Sequence, residues 1–229
     1  MINIEKKIIA IGGGGFTHQS DKSLDQFILD QSKESNNKIG FLATASMDDK
    51  EKINLFYKRF EKTDSELSHF NLLSSVNGFT EWIFNKDIIY IGGGNTVLML
   101  DIWKKNNLEN IFKNVYEKGI ILSGVSAGAV CWFDWILSDS AGSGFNPLRG
   151  INLISGSCTP HSSNLERINQ FEQDIKNNKL PNGIAIDDGV AVVFIDGKPT
   201  EVYSSRKNHR AYFIDKHNKI NLKDYIKNI

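Results

Sequence analysis

Residues 119–132 read Gly119-Ile120-Ile121-Leu122-Ser123-Gly124-Val125-Ser126-Ala127-Gly128-Ala129-Val130-Cys131-Trp132. The stretch opens on an apolar run of strand length, passes through a G-x-S-x-G pentapeptide, Gly124 to Gly128, and continues into residues compatible with a helix. A serine at a tight strand-to-helix turn has the form of a nucleophile elbow: the glycines admit the sharp turn and the hydroxyl is held out of the fold. The plainer alternative is a βα turn in which Ser126 only caps the helix.

The same punctuation recurs upstream. Residues 7–11 form an apolar run ending in Gly12-Gly13-Gly14-Gly15, and residues 87–91 form another ending in Gly92-Gly93-Gly94-Asn95. Residues 38–44 and, more weakly, 67–73 read as strands. Residues 23–32 carry Leu24, Phe27 and Ile28 at helical spacing behind Asp21 as N-cap. Residues 48–62, 96–105 and 108–118 read as helices. This alternation predicts an α/β fold, a three-layer α/β/α sandwich with a mostly parallel central sheet. Ligands bind beyond the carboxyl ends of such strands, so the glycine clusters and Ser126 are expected on one rim. Residues 183–186, 190–195 and 200–204 are β-rich, with Asp196-Gly197 as a hairpin signal. They are expected as an antiparallel extension of the same sheet. No linker, repeat or low-complexity tract divides the chain, and one domain over residues 1–229 is expected.

Composition narrows the classes. The 229 residues suffice for a sizeable core. Lys+Arg and Asp+Glu balance at 27 each, which leaves no electrostatic footprint for nucleic acid or an anionic membrane. The two cysteines, Cys131 and Cys158, could form one disulfide, but a chain of this size does not need it, and a reduced cytoplasmic protein is expected. Residues 1–7 run into an apolar stretch too short for a secretory leader, and no segment approaches the roughly 18 apolar residues that span a bilayer.

A serine nucleophile needs a base, and the base needs an orienting group. Of His18, His69, His161, His209 and His217, His161 is the best placed. It lies in a loop, Cys158-Thr159-Pro160-His161-Ser162-Ser163-Asn164, between a strand and a helix. The acid could be Asp134, Asp139, Asp187 or Asp188. Adjacent strand positions face opposite sides, so one of Asp187 and Asp188 should point at the site and the other away. An oxyanion hole needs two aimed amides. Ala127, after the serine, is one source, and the Gly92-Gly93-Gly94-Asn95 turn is another. Residues 12–15 match neither a dinucleotide fingerprint nor a phosphate loop. Cys131 reads as a small core residue, and no spacing supports a metal site, so neither metal nor cofactor is expected.

Four pieces together, Ile89-Tyr90-Ile91-Gly92-Gly93-Gly94-Asn95-Thr96, Gly124-Val125-Ser126-Ala127-Gly128-Ala129, Pro160-His161 and Gly183-Ile184-Ala185-Ile186-Asp187-Asp188-Gly189, resemble the peptidase E family of serine peptidases in order and spacing over about residues 8–213. That family includes cyanophycinases and is related in fold to class I glutamine amidotransferases, a flavodoxin-like layering. The resemblance implies Ser126 as nucleophile, His161 as base and Asp188 as the acid, where several relatives carry Glu. It implies an oxyanion hole from Ala127 with Gly93 and Gly94. The order Ser, His, acid differs from that of α/β-hydrolases. Aspartyl dipeptidases of the family hold the substrate's aspartate with an arginine after the histidine. Here the segment Ser162-Ser163-Asn164-Leu165-Glu166-Arg167 is shorter, and Trp132-Phe133 and Ser204-Ser205-Arg206 resemble a less characterised branch. Arg167, Asn95 and Gly14 are the candidate substrate-binding residues. The expected function is serine-type hydrolysis of short peptides by a monomer or homodimer. A catalytically silent binding or regulatory protein and a small-amide hydrolase are the alternatives.

Overall fold

The structure, a computed structural model, describes residues 4–32 and 36–228. Residues 1–3, on which part of the leader reading rests, lie outside them. The chain begins β1 (Lys7–Ile11), α1 (Lys22–Asp30), β2 (Lys38–Leu42), α2 (Lys50–Phe60), β3 (Glu66–His69), α3 (Phe79–Phe84) and β4 (Ile88–Ile91). It continues α4 (Thr96–Lys105), α5 (Leu108–Glu117), β5 (Ile121–Val125), α6 (Ala127–Val130), β6 (Phe133–Ser138), β7 (Asn146–Arg149) and β8 (Ile154–Thr159). It closes with α7 (Leu165–Lys176), β9 (Gly183–Ile186), β10 (Val190–Ile195), β11 (Lys198–Ser204), β12 (Ala211–Ile214), β13 (Lys219–Asn221) and α8 (Leu222–Ile226).

Among the described residues the strands form two sheets. The larger has the order β11-β10-β1-β5-β4-β2-β3. Its β1, β5, β4, β2 and β3 are parallel, and β10 and β11 extend it antiparallel. The strand alternation sorts its side chains into two layers. Ile9, Ile11, Ile88, Tyr90, Ile121 and Val125 pack with Leu24, Phe27, Phe56 and Phe60 of α1 and α2. Ile8, Ala10, Ile89, Ile91 and Leu122 face the other way, against Met99, Trp103 and Phe112 of α4 and α5. The expected α/β sandwich with a mostly parallel sheet and an antiparallel extension is what the chain builds.

The second sheet, of order β13-β12-β9-β8-β6-β7, is a correction to the expected layout. Residues 183–186 join it as β9, parallel to β8 and antiparallel to β12, instead of extending the first sheet. The cause lies just after the elbow. The helix ends at Val130, and the chain turns directly into β6 at Phe133. Buried Phe133, Ile136, Ile154, Cys158 and Ile184 then join the same apolar cluster as Ile8 and Phe194, so the second sheet is seated on the first. Helix α7 covers its far face through Ile168, Phe171 and Ile175.

One smaller expectation also changes. Asp21 does stand at the N-cap position of α1, but at φ 48° its side chain makes no cap bond; its carboxylate is taken by Arg206. Cys131 follows α6, and both cysteines are buried and unpaired. Burial pushes both thiols well above their ordinary pKa, which removes them as nucleophiles.

Candidate active site

The neighbours β1, β5 and β4 end side by side, with Ile11 opposite Val125 and Gly124 opposite Ile91. The three glycine-bearing turns leave from these adjacent ends, as expected. Ser126 follows β5 at φ 55° and ψ −116°. A non-glycine residue in this region carries strain on the order of 1–3 kcal/mol and holds it only where the surroundings fix the backbone. They do so here: its amide donates to the Ile11 carbonyl at 2.9 Å, and its carbonyl accepts from Ala129 at 2.9 Å and Val130 at 3.1 Å. The hydroxyl makes no cap bond to the helix, so the capping alternative does not describe it. It faces His161 Nε2 at 2.8 Å.

His161 also has a positive φ, 51°, and its amide donates to the Gly12 carbonyl at 3.3 Å. Its Nδ1 lies 2.5 Å from Asp188 Oδ1. An ionised carboxylate only accepts, which assigns the proton to Nδ1 and leaves Nε2 to accept from the Ser126 hydroxyl. Burial alone would raise the Asp188 carboxyl pKa. The hydrogen bond from His161, with the charges of His161, Arg206 and His18, outweighs it and holds the carboxyl below its ordinary value. The imidazole is thus backed by an acceptor that stays ionised at neutral pH.

The choice between Asp187 and Asp188, open on the residues alone, is resolved by direction. Asp187 is buried and turned away, its carboxylate accepting from Ser162 Oγ at 2.6 Å and the Arg210 amide at 2.9 Å. Asp188 bridges to the backbone of Gly13, and Gly189 N donates to the Gly13 carbonyl at 2.7 Å. A Cβ on Gly13 would stand 1.9 Å from Asp188 Oδ1 and 2.8 Å from His161 Nδ1. Only glycine lets the β1 loop lie this close behind the pair. Asp134 and Asp139, the other carboxylates considered, bind Arg149 and Arg167 instead.

Gly93 packs directly on Ser126, with an added Cβ meeting the serine Cβ at 3.1 Å. The amides of Gly93, Gly94 and Ala127 have no protein hydrogen-bond partner among the described residues, so this turn and the start of α6 carry free donors beside the hydroxyl. Asn95 is exposed, and its side-chain oxygen caps α4 by accepting from Leu98 N at 2.9 Å. Gly14 lies in the loop behind His161, its amide 3.3 Å from His18 Nδ1. Arg167 is not open to the rim. It is 4% exposed, donates to Asp139 at 2.6 Å and stacks on Phe145, while its charge still reaches Asp188.

Two residues not singled out for the site stand beside it. The ring of His18 makes an edge contact with His161 at 6.2 Å between centroids. Arg206, which stands out in the sequence only within Ser204-Ser205-Arg206, acts on Asp188 through its charge. Both come from loops remote in sequence from Ser126, so only the strand order could have revealed them. No group of three or more His, Cys, Asp or Glu suited to a metal ion occurs among the described residues, and none of their helices is long and apolar enough to cross a membrane.

A hydroxyl backed by an imidazole and a carboxylate, at the mouth of a parallel sheet, is the arrangement of a serine-type hydrolase. The chain belongs to peptidase family S51, whose family model matches residues 8–202, and it is a serine-type peptidase. An uncharacterized peptidase, YgaJ, from Bacillus subtilis (strain 168) is 40% identical over 210 residues, 90% of this chain and 91% of that protein. The solved structure of a peptidase from an acI-B1 actinobacterium matches with a TM-score of 0.68 at 16% identity, covering 94% of this chain and 93% of that one. A peptidase E candidate from Listeria monocytogenes EGD-e matches with a TM-score of 0.64 at 19% identity, over 89% of this chain and 100% of that one. At these identities the two structures speak for the fold alone. The peptidase E-like family read from the motifs is the one the comparisons return.

Proposed function

We propose that the protein hydrolyses short peptides, dipeptides included, through an acyl-enzyme on Ser126. The observation that carries the reading is the line from Ser126 Oγ to His161 Nε2 at 2.8 Å and from His161 Nδ1 to Asp188 Oδ1 at 2.5 Å. Ser126 Oγ attacks the scissile carbonyl carbon while His161 Nε2 takes the hydroxyl proton. Asp188 holds the Nδ1 tautomer and stabilises the imidazolium. The amides of Ala127 and of Gly93 or Gly94 receive the negative oxygen; one such donor is worth about 10²–10³ in rate. The imidazolium then protonates the departing amine, and water, activated by the same His161, releases the acyl group. Of the candidate substrate-binding residues, exposed Asn95 borders the space where the peptide would lie; Gly14 is buried against Asp21 and Arg167 is buried against Asp139, so neither reaches it.

A fluorophosphonate probe tests the reading without a known substrate. Labelling should occur on the wild-type protein and vanish in Ser126→Ala. A folded wild-type protein that resists the probe, or equal labelling of the variant, contradicts it. Turnover of a dipeptide library with acidic and neutral N-terminal residues then defines which peptide is preferred.

A further inference from the structure

We propose that Arg206 and Asp21 are positioning residues, whose ion pair clamps the junction of Gly13 with Asp188 and so fixes the carboxylate that orients His161. The proposal rests on the roles given to Ser126, His161 and Asp188 above. The clamp is a two-pronged contact between segments 185 positions apart: Arg206 Nε donates to Asp21 Oδ1 at 2.9 Å and Nη2 to Oδ2 at 2.7 Å. Ser205 Oγ and Ser20 Oγ each add a bond to the same carboxylate at 2.7 Å. Planar, bidentate pairing of this kind fixes geometry as well as energy.

Its place in the molecule gives it a job. The Asp21 carboxylate lies against Gly14, and the side chain of Arg206 lies against Gly189. These are the residues that follow Gly13 and Asp188, whose backbones are themselves bridged. Ser205 closes the frame by donating its amide to the Gly189 carbonyl at 2.8 Å, while its hydroxyl, whose one proton serves Asp21 or this carbonyl, lies 2.9 Å from the same oxygen. Asp188 is therefore gripped from both strands of the junction, and a loose clamp would let its carboxylate drift from His161 Nδ1.

The pair also acts through charge. The groups facing Asp188 are His161, His18 and Arg206, with Arg167 further off and largely offset by Asp139. Asp21 offsets part of the Arg206 charge in the same way. Arg206, hydrogen-bonding Asp21, holds that carboxyl well below its ordinary value against burial. The two ends of the clamp are thus both charged at neutral pH. Removing the cation alone makes a proton on the His161–Asp188 pair easier to hold, so the acid limb of reactivity moves to higher pH.

The test follows the rate of fluorophosphonate labelling from about pH 5 to about pH 9. In that reaction Ser126 Oγ bonds to phosphorus, its proton passes to His161 Nε2 and fluoride leaves. Arg206→Gln should slow labelling by at least about tenfold, as a displaced orienting group does, and move the acid limb to higher pH. Arg206→Lys keeps the cation but not the fork, so its acid limb should stay in place while the rate falls. Asp21→Asn should also slow labelling, with the acid limb moved to lower pH because the cation is no longer offset. Wild-type rate and limb in Arg206→Gln would overturn the clamp. So would losses that follow the folded fraction by circular dichroism with the limb unmoved. Labelling unaffected by Ser126→Ala or His161→Ala would instead overturn the underlying reading, and the clamp with it.

Discussion

Two carboxylates grip the loop that follows β1, and they behave in opposite ways. On its buried side Asp25, 1% exposed, accepts the Phe16 amide at 3.2 Å and Arg59 Nε at 2.6 Å. Burial dominates there and pushes its carboxyl up to about 6 in spite of the arginine. On the rim side Asp188, its side chain 32% exposed, keeps its carboxyl below the ordinary value with a histidine as its closest partner. A good partner alone therefore does not decide the sign. Access to water and the number of surrounding cations do. The buried carboxylate is an anchor that costs stability when charged. The rim carboxylate is kept charged and available to work.

Asp188→Asn breaks the contrast most severely. It keeps the volume but removes the ionised acceptor, and labelling of Ser126 per folded molecule should fall by about 10³–10⁴-fold. A loss below tenfold would show that Asp188 is no more than structural.

Asp25→Asn sharpens the other half. Its folded-state pKa of about 6 lies above the ordinary 3.8, so the unfolded chain ionises first as pH rises. The resulting penalty is absent below about 3.8, grows between there and 6, and is complete above. The stability of Asp25→Asn relative to wild type should therefore rise by up to about 3 kcal/mol across that window, as read by urea unfolding at a series of pH values. Asp188, with a depressed carboxyl, has the opposite slope: its contribution is present above the ordinary value and is lost as pH falls through the folded one. A flat difference for Asp25→Asn would mean that the charge is solvated after all.

The smallest effect belongs to Asp187→Asn. Its bonds to Ser162 and Arg210 hold the loop that carries His161, and weakening them should cost about 1 kcal/mol of stability. Labelling per folded molecule should stay within about twofold of wild type. A large loss of labelling here would blur the distinction between neighbouring aspartates.

The centre of the first sheet was legible because β1, β4 and β5 are buried on both faces and run into glycine turns, so that length and punctuation marked residues 7–11, 87–91 and 119–125. Most of the second sheet was not, although residues 183–186 read as β-rich. Phe133 follows a helix of four residues, Pro147 interrupts β7, and Gly156 interrupts β8. None of these segments has the alternation of a half-buried strand, and their pairing depends on contacts distant in sequence. Within the site, Ser126 and His161 were legible from local motifs, because an elbow and a loop histidine are short-range features. The outward turn of Asp188 and the inward turn of Asp187 depend on the register against Gly13, which periodicity does not carry. The occupation of Arg167 by Asp139 and the reach of Arg206 to Asp21 are equally tertiary facts.

The bridge between Gly13 and Asp188 also says something about when this protein becomes reactive. Ser126 and His161 leave the ribosome well before Asp188, and the strands β10 and β11 that seat Asp188 beside the first glycine loop come later still. β1 must wait for β10, nearly the whole chain away, to complete its pairing. A chain ended before Asp188 would carry the Ser126 hydroxyl and the His161 imidazole but not the carboxylate that faces them. On the proposed reading, the carboxylate reaches His161 only once β10 has paired with β1.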